Sequence, residues 1–250
     1  DTPMASRAAD SRVGHFVTRQ WDFTDDMAAF PRKYMVNRWR LEKKDPTATL
    51  SEPVQPIVYW LDKNIPHKYR AKVAEGVLEW NKAFEKIGFT NAIQVKQQAD
   101  DANFDNNDTR HASVRWYVDT SDGALAIGPS RTDPRTGEIL DADISFSDGW
   151  TRLPRRRAVE QLQSVAQGNN HAHSHTGQRS ADEILRALAR GELPQLCDYE
   201  HHAMQEAGFA LDLLAARGDI DPDSPEAEAI VIEQLKDVVA HEVGHTLGLT

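Results

Sequence analysis

The sequence contains very little cysteine and no long apolar run. Its 250 residues include one cysteine, Cys197, so no disulfide bond can form within the chain, and a cysteine-ligated structural zinc is disfavoured. No apolar stretch approaches the roughly 20 residues that a transmembrane helix requires. The polar start, Asp1-Thr2-Pro3-Met4, also lacks the apolar core of a signal peptide.

Positive charge is also scarce. The chain has 29 basic against 39 acidic residues and a net charge of −10, which argues against a general nucleic-acid binder or a binder of anionic membranes. Hydrophobic residues make up 40% and charged residues 27%, as is typical of a soluble globular protein. Because the sequence does not begin with methionine and stops inside a motif, we interpret it as a piece of a longer protein, whose export signal would lie upstream.

The arrangement of strand and helix patterns predicts an α+β fold with one sheet of about five strands. The predicted strands share β-branched and aromatic composition, and they are 56–61, 92–96, 112–118, 123–129 and 138–146. Apolar residues spaced by three or four predict a helix over 66–87, with Pro66 at its start and Gly88 at its end. Residues 1–55 are predicted to be an N-terminal segment or the end of a preceding domain.

Residues 150–224 differ from this pattern and are predicted to be a largely helical insertion. A polar loop at 168–177 carries His171, His173 and His175, which could bind a metal or simply be exposed. Helices are predicted over 180–190 and 198–216. A long helix over 225–247 follows, with Ser224 as its N-cap and Gly248 at its end.

The long helix contains the motif His241-Glu242-Val243-Gly244-His245. Residues four apart lie on the same face of a helix, so His241 and His245 can direct both imidazoles at one point. Two nitrogen ligands with a carboxylate beside them are what a zinc hydrolase uses to bind the ion and to take a proton from water. The motif therefore predicts one catalytic zinc ion, with His241 and His245 as ligands and Glu242 as general base.

Other interpretations of these residues remain open. The two histidines could serve helix packing alone. Glu242-x-x-His245 and Asp198-x-x-His201 are both carboxylate-x-x-histidine pairs, as found in di-iron helix bundles, although the strand-rich first half argues against a bundle. The chain could also act only as a folded binding module.

A calcium site is a weaker alternative elsewhere in the chain. Asp101, Asn103 and Asp105 match the start of an EF-hand loop, but Asn106 replaces its turn glycine and Ala112 replaces its bidentate glutamate. A plain acidic turn is favoured, with calcium binding of another kind left open.

Several stretches resemble known metalloproteases. His241, Glu242, His245 and Gly248 match the first part of the metzincin signature H-E-x-x-H-x-x-G-x-x-H. Gly123 to Pro129 resembles the substrate-binding edge strand of matrix metalloproteases, and Asp143 to Trp150 resembles their following strand and turn. The stretches 38–44, 76–81 and 133–139 are similar to bacterial, exported zinc-dependent metalloproteases with a metzincin-type domain. The resemblance covers most of residues 10–250.

The resemblance implies a zincin-like endopeptidase domain over 56–250, interrupted by the insertion at 150–224. It implies that Glu242 takes a proton from water and later gives it to the leaving amine, and that the protein acts outside the cytoplasm, in the periplasm, on the outer surface or after secretion. The substrate would be a peptide or protein held as an added antiparallel strand. The residues implied to hold it are Gly123, Ala124, Leu125, Ala126, Ile127 and Gly128.

The sequence departs from the metzincin pattern in three respects. The third histidine of the signature would fall immediately after Thr250, with the Met-turn further downstream, so we expect this chain alone to be inactive or weakly active. The other available donors are His171, His173, His175, His201 or a neighbouring molecule. Ile127 stands where matrix metalloproteases carry a structural-zinc histidine, so no second zinc is predicted.

Overall fold

The computed structural model describes residues 2–25, 27–118, 125–166 and 199–250. The chain divides into two compact units. One, here called the sheet unit, comprises Asp1–Tyr117, Ala126–Ser147 and Leu235–Thr250, and the other, the helical unit, comprises Val118–Leu125 and Asp148–Gln234. The first 55 residues therefore belong to the same compact unit as the main sheet and the His-Glu-His motif.

A small antiparallel sheet lies near the N-terminus. It consists of β1 (Val17–Trp21) and β2 (Arg32–Val36), with Val17 opposite Val36 and Trp21 opposite Arg32. The sequence has strand-like composition at 14–18 and 34–39, and each strand overlaps one of these stretches.

The main sheet is mixed, which confirms the α+β class. Its strands are β3 (Ile57–Leu61), β4 (Ile93–Gln97), β5 (Ser113–Tyr117), β6 (Ala126–Ile127), β7 (Ser130–Thr132) and β8 (Ile139–Ser147). The order is β4-β3-β5-β8-β6, with β7 also paired to β8. Strands β4, β3, β5 and β8 run parallel to one another, whereas β6 and β7 run antiparallel to β8. Strand β7 was not predicted, because its three polar residues carry no alternating pattern.

The helix predicted over 66–87 is two helices, α1 (His67–Leu78) and α2 (Asn81–Lys86). At the junction the hydrogen bonds shorten to three-residue spacing, from the Lys82 amide to the Glu79 carbonyl and from the Ala83 amide to the Trp80 carbonyl. The Trp80 indole at this junction donates to the Ala240 carbonyl at 2.7 Å. This tertiary contact accompanies the break, and the sequence periodicity gave no sign of it.

The described part of the helical unit contains α3 (Gly149–Ala166), α4 (Tyr199–Ala216) and the first half of α5 (Pro225–Thr246). Helix α3 was not predicted as a separate element, although nearly all of it falls in the predicted helical insertion, and it contains Pro154. Leu211, Ala227 and Val231 form a buried core. The predicted helix 180–190, the histidine loop and Cys197 lie outside the described residues. Within the described ranges, no helix has the length and apolar character needed to cross a bilayer.

Candidate metal centre

Helix α5 is capped by specific hydrogen bonds at both ends. The Ala227 amide donates to Ser224 Oγ at 3.2 Å, which confirms Ser224 as the N-cap. At the other end the Leu249 amide donates to the Gly244 carbonyl and the Gly248 amide to the His245 carbonyl, while Gly248 has a φ of +101°. This is a Schellman motif, so the chain turns sharply at Gly248, three residues after His245.

Close packing fixes the second half of α5 against α1 and α2. A Cβ added at Gly76 would lie 2.7 Å from the Lys236 carbonyl oxygen, and one added at Gly244 would lie 2.9 Å from Cζ2 of Trp80. The helix axes can approach this closely only because both positions are glycine. The helix that carries the motif is therefore held at a defined position.

The motif brings its three polar side chains together. One ligand atom from each of His241, Glu242 and His245 lies within 4.8 Å of the others, so the group could hold a metal ion. The two imidazole centroids are 4.6 Å apart and nearly perpendicular, at 86°. Glu242 is buried, with 2% of its surface exposed, whereas both histidines are half-buried.

The ring of His245 is oriented by a backbone carbonyl. Its Nδ1 lies 2.9 Å from the Leu249 carbonyl oxygen. Because a carbonyl can only accept, Nδ1 carries the proton, and Nε2 of the neutral ring then presents a lone pair. Nε2 is buried and has no hydrogen-bond partner. A buried nitrogen with an unused lone pair, on a ring held through its other nitrogen, fits the usual geometry of a metal-ligating histidine.

The neutral form of His241 is also favoured. Burial, together with the neighbouring His245, lowers the pKa of His241 below its ordinary value. A neutral imidazole is the form that binds metal ions, so this shift favours ligation.

A buried hydrogen-bond chain anchors the end of α5 to the sheet. Thr246 Oγ1 donates to the Val243 carbonyl at 2.7 Å and lies 2.7 Å from the Tyr59 hydroxyl. Since the threonine hydrogen is already used, the Tyr59 hydroxyl donates to Thr246. Burial raises the pKa of Tyr59, so this donor stays protonated.

Strand β6 lies at the edge of the main sheet, beside Glu242. Ala126 is opposite Phe146 and Ile127 is opposite Ser145 of β8. The next residue, Gly128, packs on α5, because a Cβ added there would lie 2.7 Å from the Glu242 carbonyl oxygen and 3.2 Å from its Oε2. The edge strand and the buried carboxylate are thus in direct proximity.

The remaining predicted site residues lie outside the described residues or in the helical unit. Gly123, Ala124, His171, His173 and His175 lie outside the described residues. His201 lies on α4 in the helical unit, and Leu125, with 48% of its surface exposed, belongs to the same unit.

The predicted acidic turn contains ordinary turn contacts. Oδ1 of Asp105 accepts from the Asn107 amide at 2.7 Å, and Asp108 pairs with Arg110. These contacts are those of a plain turn. Calcium binding at Asp101, Asn103 and Asp105 stays a prediction.

Sequence reasoning missed the residues that support the motif. Tyr59, Trp80 and Trp39 all reach α5 from distant parts of the chain, and the Trp39 indole donates to the Thr246 carbonyl at 2.9 Å. Each looks like a core aromatic in the sequence, and no local pattern pairs it with the helix.

An apolar cavity of about 970 Å³ lies near the C-terminal end of α5. Its walls include Val13, Val17, Trp80, Leu247 and Leu249. None of the three motif side chains lines this cavity, so the cavity is not part of the candidate metal centre.

Comparison with known proteins gives one partial match. No curated protein and no solved structure matches the chain. A family described as "Domain of unknown function (DUF5117)" matches residues 1–44, which include β1, β2 and Trp39.

Proposed function

We propose that the protein is a zinc-dependent endopeptidase, with His241 and His245 as zinc ligands and Glu242 as the general base. The observation that carries the proposal is the arrangement of the motif. A ring-oriented histidine with an unpartnered Nε2 stands beside a second histidine and a buried carboxylate, next to the edge of a sheet.

The donors suit zinc. Imidazole nitrogens and carboxylate oxygens are ordinary ligands of this ion, and hydrolytic sites commonly combine two histidines with a third protein ligand. When bound there, zinc would supply Lewis-acid chemistry that acidifies water and polarises a carbonyl group.

Glu242 would move the protons of the reaction. Its carboxylate would take a proton from the attacking water and deliver it to the leaving amine as the peptide bond breaks. The burial of Glu242 supports this role, because a carboxylate removed from bulk water keeps a fixed position and transfers protons without competition from solvent.

Strand β6 would position the substrate. An extended peptide that pairs with Ala126 and Ile127 would add a strand at the edge of the sheet, in the mode called β-augmentation. Gly128 would then hold the substrate backbone close to Glu242. On this proposal the sheet unit has a zincin-like fold, and the protein acts outside the cytoplasm, as do the exported proteases that it resembles.

The proposal is tested by Glu242→Gln in the full-length protein. We expect loss of peptide hydrolysis with zinc content unchanged by elemental analysis, because the amide cannot accept the proton and neither histidine is altered. Glu226→Gln is the matched control, since Glu226 is an exposed residue in the first turn of the same helix. Hydrolysis that survives in Glu242→Gln would show that the base is misassigned.

The same preparation separates the alternatives. Stoichiometric iron in place of zinc would favour the di-iron interpretation. A protein that binds neither metal, and cleaves no peptide, would be a binding module.

A further inference from the structure

The N-terminal segment pairs directly with the turn that follows the motif. His15 and Leu249 form an antiparallel β-bridge, and the Phe16 amide donates to the Gly248 carbonyl at 2.7 Å. The Thr250 amide donates back to the Gly14 carbonyl at 3.3 Å. Residues 14–16 thus act as a strand partner for residues 248–250.

Two further contacts secure the same turn. A Cβ added at Gly248 would lie 2.2 Å from the Asn37 carbonyl oxygen, so the turn is pressed against the segment that follows β2. The Asn37 amide itself donates to the Phe16 carbonyl at 2.9 Å. The Trp39 indole satisfies the Thr246 carbonyl, one of the carbonyls that the end of a helix leaves without an intrahelical partner.

These contacts converge on His245. The Leu249 carbonyl that accepts from His245 Nδ1 belongs to the residue bridged to His15. The Phe16 ring lies 5.7 Å from the His245 ring, centroid to centroid, at an interplanar angle of 59°. Phe16 therefore touches the ring directly, and its backbone holds the turn that supplies the orienting carbonyl.

We infer that, given the metal site proposed above, residues 14–39 are part of the metal centre, with Phe16 and Trp39 as positioning residues for His245. The segment matched by the family of unknown function, residues 1–44, then contributes the outer support of the site. Outer-shell groups that orient a metal-bound histidine commonly change metal affinity about 10–100-fold when they are removed.

The test is Co²⁺ binding to the full-length protein, measured by chelator competition and by the visible absorption of the bound ion. Phe16→Ala should weaken Co²⁺ binding about 10–100-fold and alter the spectrum, because the His245 ring loses its contact and its fixed angle. Phe23→Ala is the matched control, since Phe23 belongs to the same segment and is 70% exposed. It should leave both readouts unchanged.

A second pair of variants keeps the inference testable if Phe16→Ala does not fold. Trp39→Phe keeps an aromatic ring but removes the donor to Thr246, and should shift affinity and spectrum in the same direction. Trp21→Phe, at a position 53% exposed, is its control. Thermal unfolding of the metal-free proteins separates positioning from general stability, because a merely structural role would lower Tm and leave the Co²⁺ spectrum unchanged.

The outcomes distinguish the two proposals. If the unmodified protein binds no Co²⁺, the proposed metal site is contradicted, and so is the positioning role that depends on it. If the unmodified protein binds Co²⁺ and both Phe16→Ala and Trp39→Phe retain its affinity and spectrum, only the positioning role is overturned.

Discussion

At the residue scale, the sheet unit buries several carboxylates that differ in their hydrogen bonds and nearby charges. Asp133 accepts hydrogen bonds from Arg135, whereas the buried Asp141 has no side-chain donor within hydrogen-bonding distance. The Arg131 Nε atom is 3.6 Å from Asp141, and the Asp141 side chain is 2% exposed. These two aspartates should therefore respond to pH in opposite directions.

Asp141→Asn should stabilise the protein at neutral pH. Burial, and then repulsion from Asp143, raises the pKa of Asp141 against the opposing effects of Arg131 and of the Ala142 backbone amide, with Asp108 adding further repulsion. The folded state then holds this proton more tightly than the unfolded state, so stability falls as pH rises from the ordinary value of 3.8 through the raised pKa. Urea denaturation should show the variant above the unmodified protein at pH 7 and level with it below about pH 4.

The Asp133→Asn variant should show the opposite effect on stability. The Arg135 side chain lowers the pKa of Asp133 to about 2, so its contribution is present above 3.8 and lost as pH falls through about 2. This variant should be less stable than the unmodified protein at pH 7, and a gain in stability there would contradict the assignment.

The buried pair of Tyr59 and Thr246 gives another residue-scale prediction. Tyr59→Phe should lower the free energy of unfolding by about 1 kcal/mol, because one buried hydrogen bond is lost. Thr246→Val should cost about 1–3 kcal/mol, because the fully buried Tyr59 hydroxyl is left without an acceptor. Chemical denaturation measures both, with Tyr34→Phe, at a position 44% exposed, as the neutral control. Effects no larger than that of the control would mean that the pair does not anchor the helix.

At the element scale, strand β6 and helix α5 meet at Gly128. Gly128→Ala should separate them, because its Cβ would approach the Glu242 carbonyl oxygen at 2.7 Å. We expect a loss of about 1–3 kcal/mol in stability, with peptide hydrolysis reduced more than zinc content. Gly208→Ala is the control, since its Cβ would meet nothing within 4 Å in helix α4, and alanine there should stabilise slightly. Unchanged hydrolysis in Gly128→Ala would argue against a substrate on β6.

The element scale also shows what sequence could predict. The long helix, its Ser224 cap and its Gly248 stop follow from local rules about periodicity and capping, so α5 was predicted within one residue at its end. The contacts of Phe16, Tyr59 and Trp39 with the helix depend on chain folding over long separations, and no local pattern encodes them. Helix α3 was not predicted as a separate element, and its sequence contains Pro154, a residue type that usually ends or kinks a helix.

At the scale of the whole molecule, metal binding should raise thermal stability. An ion that binds only the folded state at a hundred times its Kd adds about 2.7 kcal/mol, which corresponds to a Tm increase of about 5–10 °C for a chain of this size. Scanning calorimetry with and without a chelator measures the change. The increase should vanish in His241→Ala, and an equal increase in that variant would place the stabilising ion elsewhere.

The pairing of Trp39 with Thr246 joins residues 207 positions apart in the chain. Contacts between such distant residues form late, because the loop that they close costs conformational entropy before the contact is gained. The His245 ring would therefore reach its final orientation only after residue 249 has been synthesised and the N-terminal strands have packed against the end of the helix. On the proposed function, the peptidase would stay inert until the early strands and the end of the long helix have come together.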